Sequence, residues 1–191
     1  MKVGLFFGTF NPIHIGHLLI AQAAMNHAKM DKIWFVVSPS SPDKDYRRLL
    51  HEFDRFDLVF EAIQGNPDFK VLDIEFHLPK PSFTYLTIRK LKENHPENEY
   101  FILIGGDNFT NIGRWKNSEE LQKNVRFIIY PRDENKVGSL IADDVNIWID
   151  APYIKISSTY IRQLIQEDKS PKYLVPDPCI KLIEEKGYYR D

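Results

Sequence analysis

The sequence predicts an α/β fold, in which helices cover both faces of a parallel β-sheet and a small helical segment follows at the carboxyl terminus. Short apolar runs, rich in β-branched and aromatic residues, alternate with longer helix-like stretches. The run Ile33–Val37 is apolar at every position, as expected for a strand buried on both faces. Strands that alternate with helices are joined by crossovers and form a parallel sheet. Such a Rossmann-like sheet binds ligands beyond the carboxyl ends of its strands.

The boundaries of the elements follow from the turn residues that flank each run. The predicted strands are Val3–Phe7, Lys32–Val37, Lys70–Ile74, Tyr100–Ile104 and Val125–Tyr130, with a weaker one at Asn146–Ile149. The predicted helices between them are Ile15–Lys29, Leu49–Ile63, Phe83–Asn94 and Glu119–Lys123.

The pattern becomes helical only after Asp150. Ser157–Thr159 precedes a predicted N-capped helix that reaches Ile165. A last helix is predicted at Cys179–Lys186, where prolines stand just before its start and Gly187 ends it.

Length and composition indicate one domain that spans residues 1–191. The chain is 43% apolar, which is enough for an ordinary core. Its formal net charge of -2 gives no general attraction to nucleic acid or to an anionic membrane, and neither is expected as a partner. A nucleotide site would therefore need local positive charge.

Cysteine usage and hydropathy favour a cytoplasmic protein. Cys179 is the single cysteine, so it cannot form an internal disulfide, and a reducing compartment fits best. No apolar run approaches the ~18 residues that span a bilayer. No signal peptide is apparent before the first strand.

The amino-terminal stretch up to His17 carries the strongest signal for a ligand site. A buried strand ends at Gly8, and a turn leads into a helix near His14. This arrangement presents backbone N–H groups and the positive end of a helix dipole at one point, which attracts phosphate. His14 and His17 lie on one face of the first helical turn and can donate to the same anion. A buried structural pair is the weaker alternative, because Gly16 between them costs about 1 kcal/mol in a helix.

A second anion site is predicted at Ser157–Thr159. Three consecutive hydroxyls stand at a helix N-terminus, and Arg162, one turn later, adds a planar cation. A plain cap with a surface arginine would explain this segment taken alone. Together with the amino-terminal motif it predicts a clamp over one phosphate chain, so residues 157–191 would complete the site.

The two motifs resemble those of the nucleotidyltransferase superfamily. The residues that carry the resemblance are Gly8–His17 and Ile156–Arg162. The closer resemblance is to bacterial nicotinate mononucleotide adenylyltransferases, and it covers nearly the whole chain. Further motifs occur in the order expected of that family, at Pro81–Thr84, Ile104–Asp107, Trp115–Lys116, Pro131–Arg132 and Tyr173–Pro176.

The resemblance implies transfer of AMP from ATP to the 5′-phosphate of nicotinate mononucleotide, which yields deamido-NAD and pyrophosphate. Because the nucleophile is already an ionised phosphate, no activated serine, cysteine or general base is needed. The protein has to align two anions and neutralise developing charge. Mg²⁺ is expected with ATP, held by phosphate oxygens and water. ATP and nicotinate mononucleotide are the expected partners, and assembly into a homo-oligomer is left open.

The resemblance also implies roles for individual residues, and none is expected to ligate a metal directly. His14, His17 and Arg162 are the expected catalytic residues. The expected ATP contacts are Gly8, Thr9, Phe10, His14, His17, Gly105, Asp107, Ser157, Ser158 and Arg162. The expected acceptor contacts are Lys44, Thr84, Asp107, Trp115 and Arg132. An indole face is a suitable partner for the cationic pyridinium ring and contributes about 0.5–2 kcal/mol.

The sequence departs from the family pattern near the acceptor phosphate. The family often has a Pro-Pro-His-Lys loop, whereas Ser40–Lys44 contains no histidine and places Asp43 beside the lysine. The family often has an arginine where Leu78 stands, and Lys80 or His77 would have to compensate.

Three alternatives stay open at this level. The same adenylyl transfer could act on nicotinamide mononucleotide or on phosphopantetheine, although enzymes of the latter kind often have threonine at the position of His14. A non-catalytic nucleotide-binding protein could share the fold. Retention of His14, His17 and Arg162 argues against that last alternative.

Overall fold

The computed structural model describes residues 1–39, 49–131, 145–152 and 154–190. Its strands are β1 (Lys2–Gly8), β2 (Lys32–Val37), β3 (Phe69–Leu72), β4 (Glu99–Gly105), β5 (Arg126–Tyr130) and β6 (Ile147–Trp148). Its helices are α1 (Ile15–Ala28), α2 (Glu52–Ile63), α3 (Thr84–Asn94), α4 (Gly106–Phe109), α5 (Ser118–Asn124), α6 (Ser158–Gln166) and α7 (Asp177–Lys186). Short 3₁₀ helices lie at Ile74–His77 and Ile112–Arg114.

The strands form one sheet in the order β3-β2-β1-β4-β5-β6, and every neighbouring pair is parallel. The predicted parallel α/β sheet is therefore confirmed. The strand β1 lies at the centre, where Gly8 pairs with Val37 of β2 and Phe6 pairs with Leu103 of β4. The strand order reverses at β1, and a crevice opens at such a point beyond the carboxyl ends of the strands.

Two hydrophobic cores lie on opposite faces of the sheet, because successive strand side chains point to opposite sides. Leu5 of β1 packs on one face with Ile88 of α3 and Leu121 of α5. Phe6 packs on the other face, and the buried residues there that come from α1, α2, α6 and α7 include Ala21, Leu58, Ile161 and Ile183. Helices therefore cover both faces, as predicted.

Several predicted boundaries differ from those of the structure, and two of the differences have a clear physical cause. The strand predicted at Lys70–Ile74 ends at Leu72, because Asp73 leaves the extended conformation and Ile74 begins a 3₁₀ helix. The helix predicted from Leu49 begins at Glu52. The residues just before this helix stay outside it because two side chains hold the backbone of Leu50. The N–H of Leu50 donates to Asn11 Oδ1 at 3.3 Å, and the carbonyl of Leu50 accepts from Arg55 Nε at 2.8 Å.

The carboxyl-terminal segment is helical and docks against the start of the chain. Ser157 caps α6 by accepting a hydrogen bond from the N–H of Tyr160 at 3.2 Å. The last helix ends at Gly187, whose φ of 68° is the left-handed conformation that glycine adopts readily. The carbonyl of Leu174 accepts from the N–H of Ile15 at 2.9 Å. None of the helices in the described ranges is both long and apolar enough to cross a membrane.

Candidate active site

Two adjoining depressions lie at the carboxyl ends of the central strands. The larger cleft, of about 480 Å³, runs between the turn after β1 and the N-terminus of α6. The inner recess, of about 170 Å³, lies over the ends of β1 and β4. Both are lined by Thr9, His17, Tyr130 and Ser158. The two depressions therefore meet at these four residues.

The turn after β1 is shaped by Phe10. Its φ is 44°, an uncommon value for a residue with a side chain, and its ring is buried. A Cβ atom on Gly8 would lie 2.9 Å from that ring. Gly8 therefore makes room for Phe10, in addition to lining the inner recess. Phe10 in turn contacts the ring of His17 edge-on, with centroids 5.2 Å apart.

The two histidines stand together where α1 begins. Their rings are stacked, with centroids 3.7 Å apart, and both line the larger cleft. His14 is the residue before the helix, and its N–H donates to Nδ1 of His17 at 3.2 Å. A Cβ atom on Gly16 would lie 3.0 Å from Nδ1 of His14, so the glycine makes room for that ring.

The start of α1 is less open to a ligand than the sequence suggests. The N–H of Ile15 already donates to the carbonyl of Leu174, and the N–H of His17 donates to the carbonyl of His14 at 2.9 Å. These two N–H groups are therefore already paired within the protein. The residues of this motif that line the larger cleft are Thr9, Asn11, His14, Gly16 and His17.

The second motif contacts the first, as the sequence predicts. Nη1 of Arg162 donates to the carbonyl of Asn11 at 2.7 Å, and the hydroxyl of Ser158 donates to the carbonyl of Pro12 at 2.8 Å. Nη2 of Arg162 also donates to Thr159 Oγ1 at 3.3 Å. These bonds fix the N-terminus of α6 over the turn after β1, and together the two segments wall the larger cleft.

The lining of the larger cleft favours a polyanion. Its charged side chains are Lys155 and Arg162, and no aspartate or glutamate is among the described residues that line it. The local positive charge that a nucleotide site needs is therefore present although the whole chain carries -2. Within the described ranges, no group of three histidine, cysteine or acidic side chains is arranged to hold a metal ion.

The inner recess offers aromatic and main-chain surface. Trp115, Tyr130 and Phe7 line it, together with Gly105 at the end of β4. Trp115, an expected acceptor contact, thus lies at one depression, and the expected ATP contacts Gly8, Thr9, Phe10 and Gly105 line the same recess.

Other expected acceptor contacts lie around this recess rather than in its lining. Asp107 is exposed on α4, and Thr84 is the first residue of α3. The Lys116 ammonium lies 4.3 Å from the ring centroid of Phe83, which brings the segment of Thr84 against that of Trp115. Lys44 and Arg132 lie outside the described residues.

The two basic side chains that could replace the missing family arginine each lie beside a carboxylate. Lys80 Nζ lies 2.7 Å from Glu52 Oε1 and lowers the pKa of that carboxyl. His77 Nε2 lies 3.2 Å from Asp73 Oδ2.

Sequence reasoning missed several residues at the site. Asn11, Tyr130 and Asn108 line the depressions, and Arg55 lies directly behind the turn. Arg55 gave no signal of a buried role, because it stands among the acidic residues Glu52, Asp54 and Asp57 at the start of α2. The contacts of the others depend on how distant segments meet.

Comparison with known proteins gives the family. The model of the cytidylyltransferase-like family matches residues 5–164. The chain is 43% identical over 190 residues to a probable nicotinate-nucleotide adenylyltransferase of Cytophaga hutchinsonii, covering 99% of this chain and 98% of the relative. It is 40% identical over 192 residues to one of Flavobacterium johnsoniae, and the match covers 100% of both. The chain belongs to the nicotinate-nucleotide adenylyltransferase family. It is therefore a nucleotidyltransferase of NAD biosynthesis.

Solved structures share the fold. The nicotinic acid mononucleotide adenylyltransferase of Plasmodium falciparum, complexed with NaAD, aligns with a TM-score of 0.78 over 98% of this chain and 97% of that one. Its complex with APC aligns with a TM-score of 0.77 over 98% and 96%. The sequence identities are 22% and 21%, so these likenesses concern the fold.

Proposed function

We propose that this chain transfers AMP from ATP to nicotinate mononucleotide, with ATP in the larger cleft and the pyridine ring of the acceptor in the inner recess. The observation that carries the proposal is that the two depressions meet at Thr9, His17, Tyr130 and Ser158. A transfer between two substrates requires the reacting groups to be adjacent and aligned. His17 stands at that junction.

The triphosphate is proposed to lie along the histidine pair and the N-terminus of α6. His14, His17 and Arg162 supply cationic or donor groups on two sides of the larger cleft. Ser157 and Ser158 stand at the first turn of α6, where the positive end of a helix dipole favours anions. Apolar side chains such as Ile20 and Ile156 offer surface to the adenosine.

The acceptor is proposed to lie between Trp115 and the ends of β1 and β4. The indole face suits a cationic pyridinium ring. Thr84 and Asp107 remain predicted contacts at the rim, and Lys44 and Arg132 remain predicted contacts for its phosphate. The carboxylate that distinguishes the acid from the amide would need N–H donors from this rim.

The chemistry needs no protein nucleophile. An oxygen of the acceptor 5′-phosphate attacks the α-phosphorus of ATP, the bond from that phosphorus to the bridging oxygen breaks, and pyrophosphate leaves with the electron pair. Donors aimed at the charge that develops on these oxygens lower the barrier, and one such donor contributes about 3–4 kcal/mol.

Mg²⁺ is proposed to enter with ATP. The donor set of the larger cleft fits an ion held by phosphate oxygens and water, because its described lining contains no carboxylate. When bound, the ion would neutralise phosphate charge. His14, His17 and Arg162 orient the same phosphate chain from the protein side.

The test is a competition assay on purified protein. One preparation receives Mg-ATP with equal amounts of nicotinate mononucleotide, nicotinamide mononucleotide and phosphopantetheine, and the products are identified by mass. We expect deamido-NAD and an equal amount of pyrophosphate. NAD as the main product would identify nicotinamide mononucleotide as the acceptor, and dephospho-coenzyme A would identify phosphopantetheine. ATP binding without pyrophosphate release on any acceptor would favour a non-catalytic binding protein.

An Arg162→Ala variant, purified identically, controls for a contaminating activity. It lacks the guanidinium that bonds the carbonyl of Asn11 and lines the cleft. Equal product from this variant and from the unmodified chain would contradict the proposed site.

A further inference from the structure

We propose that Arg55 is a positioning residue for adenylyl transfer, which holds the turn after β1 in its working geometry without touching either substrate. The inference rests on the proposed function. Arg55 belongs to α2, and its side chain is fully buried, with 0% of the residue exposed. It lines neither the larger cleft nor the inner recess.

Arg55 bonds three separate segments at once. Nη1 donates to the carbonyls of Thr9 and Ser38, each at 2.7 Å. Nη2 donates to the carbonyl of Pro39 at 3.1 Å, and Nε donates to that of Leu50 at 2.8 Å. The turn after β1, the segment after β2 and the approach to α2 are thereby tied to one planar group. A guanidinium has the rigid fork of donors that such a role requires.

The turn is thus held from two sides. Arg55 bonds the carbonyl of Thr9 from behind, and Arg162 bonds the carbonyl of Asn11 from the cleft side. The amide side chain of Asn11 adds a third tie, because it accepts from the N–H of Leu50. Thr9 and Asn11 both line the larger cleft, so a shift of Arg55 would move that wall.

Placing a cation in the core is energetically unfavourable, because the charge loses its hydration. Burial lowers the pKa of Arg55 to about 10, which still leaves the group protonated at neutral pH. Its four hydrogen-bond partners in the described part of the chain are all main-chain carbonyls. An apolar side chain would avoid the cost of desolvation but could not hold these carbonyls.

The experiment separates positioning from stability. Arg55→Lys and Arg55→Met are compared with Val59→Ala, a truncation of a buried residue on the same helix. Calorimetric titration with a non-hydrolysable ATP analogue gives the number of competent sites, and kcat is expressed per site at a temperature well below each Tm. We expect kcat per site to fall roughly 100-fold for Arg55→Met, as for other small misplacements of reacting groups. Arg55→Lys should fall less, because it keeps the charge and some of the donors, and Val59→Ala should lose Tm but keep kcat per site.

Several results would overturn the proposal. Unchanged kcat per site in Arg55→Lys and Arg55→Met, with only the number of sites reduced, would make Arg55 a stability residue. Failure of both variants to fold would lead to the same conclusion. Absence of turnover in the unmodified chain would instead contradict the proposed function, so the two failures are distinguishable.

Discussion

The main-chain N–H of His14 donates to Nδ1 of His17 across 3.2 Å, while the two rings stack with centroids 3.7 Å apart. Because Nδ1 of His17 accepts this bond, the neutral imidazole carries its proton on Nε2. His17 can therefore donate to a phosphate oxygen without first becoming charged. The backbone of one histidine thus sets the tautomer of the other, which gives a physical reason for their spacing.

Replacing His17 with alanine is expected to lower kcat by roughly 10²–10³, the loss measured when one donor to developing charge is removed. The KM for nicotinate mononucleotide should change less than kcat, because His17 borders the inner recess only where it meets the larger cleft and the proposed donor acts on charge that develops in the transition state. Steady-state kinetics with varied ATP and acceptor measures both. The matched control is His27→Ala, an exposed histidine in the last turn of the same helix, which should keep wild-type rates. If His17→Ala and His27→Ala had equal rates, His17 would have no catalytic role.

Replacing Trp115 with alanine should act on the acceptor alone. Loss of the indole face is expected to raise the KM for nicotinate mononucleotide by roughly 2- to 30-fold, which corresponds to about 0.5–2 kcal/mol. The KM for ATP should stay constant, since Trp115 lines only the inner recess of the two depressions. The KM of Trp115→Phe for nicotinate mononucleotide should lie between those of the wild type and Trp115→Ala, because phenylalanine keeps a smaller aromatic face. A rise in the KM for ATP alone would place the substrates the other way round.

Adjacent tyrosines at the end of the chain should respond in opposite ways to loss of their hydroxyls. The hydroxyl of Tyr188 donates to Asp54 Oδ1 at 2.7 Å, so Tyr188→Phe should cost about 1 kcal/mol and lower the Tm by roughly 2–4 °C. The hydroxyl of Tyr189 is buried without a hydrogen-bond partner among the described residues, so Tyr189→Phe should leave the Tm unchanged or raise it. Thermal unfolding of both variants checks this. A larger loss for Tyr189→Phe would contradict it.

Glu75 should make stability depend on pH. Burial raises its pKa, while the hydroxyl of Thr87, which donates at 2.8 Å, acts in the opposite direction. The pKa of Glu75 is higher in the folded state than in the unfolded state, so its protonated form stabilises the fold. This contribution to the free energy of unfolding is fully present below the ordinary pKa of 4.5 and is lost as pH rises through the folded-state pKa. Glutamine resembles the protonated form of glutamate. The Tm of Glu75→Gln minus that of the wild type should therefore increase as pH rises from 4.5.

The control for that comparison is Glu93→Gln, which removes an exposed carboxylate on α3. Thermal unfolding between acidic and neutral pH is measured for all three chains. The curves of Glu93→Gln and the wild type should run parallel. If the plot of Tm against pH for Glu75→Gln also ran parallel to that of the wild type, the Glu75 carboxyl would have the same pKa in the folded and unfolded states.

The sequence predicts the central strands closely because their apolar runs are continuous. The run Lys32–Val37 was placed without error, and Val125–Tyr130 was one residue too long. Where side chains from elsewhere in the chain hold the backbone, local pattern fails. Leu50 looks helical by composition, yet Asn11 and Arg55 keep its N–H and carbonyl out of the helix.

The same distinction applies to the site. His14, His17, Ser158 and Arg162 were predicted because their residue types and spacing are typical of an anion site, and the structure brings them to one cleft. The fate of the Ile15 N–H was not predictable, because its partner Leu174 is distant in sequence and bonds through its carbonyl. Main-chain carbonyls are common to all residues, so contacts such as those of Arg55 leave no trace in the sequence pattern.

The bond between Ser158 and Pro12 joins residues 146 positions apart. During synthesis the turn after β1 leaves the ribosome first, and its partner follows roughly 7–30 s later at about 5–20 residues per second. The nascent chain can already form most of the central sheet in that interval, but it has only one wall of the larger cleft. The second wall of the larger cleft therefore forms only after Ser158 and Arg162 have been synthesised, well after the turn that they contact.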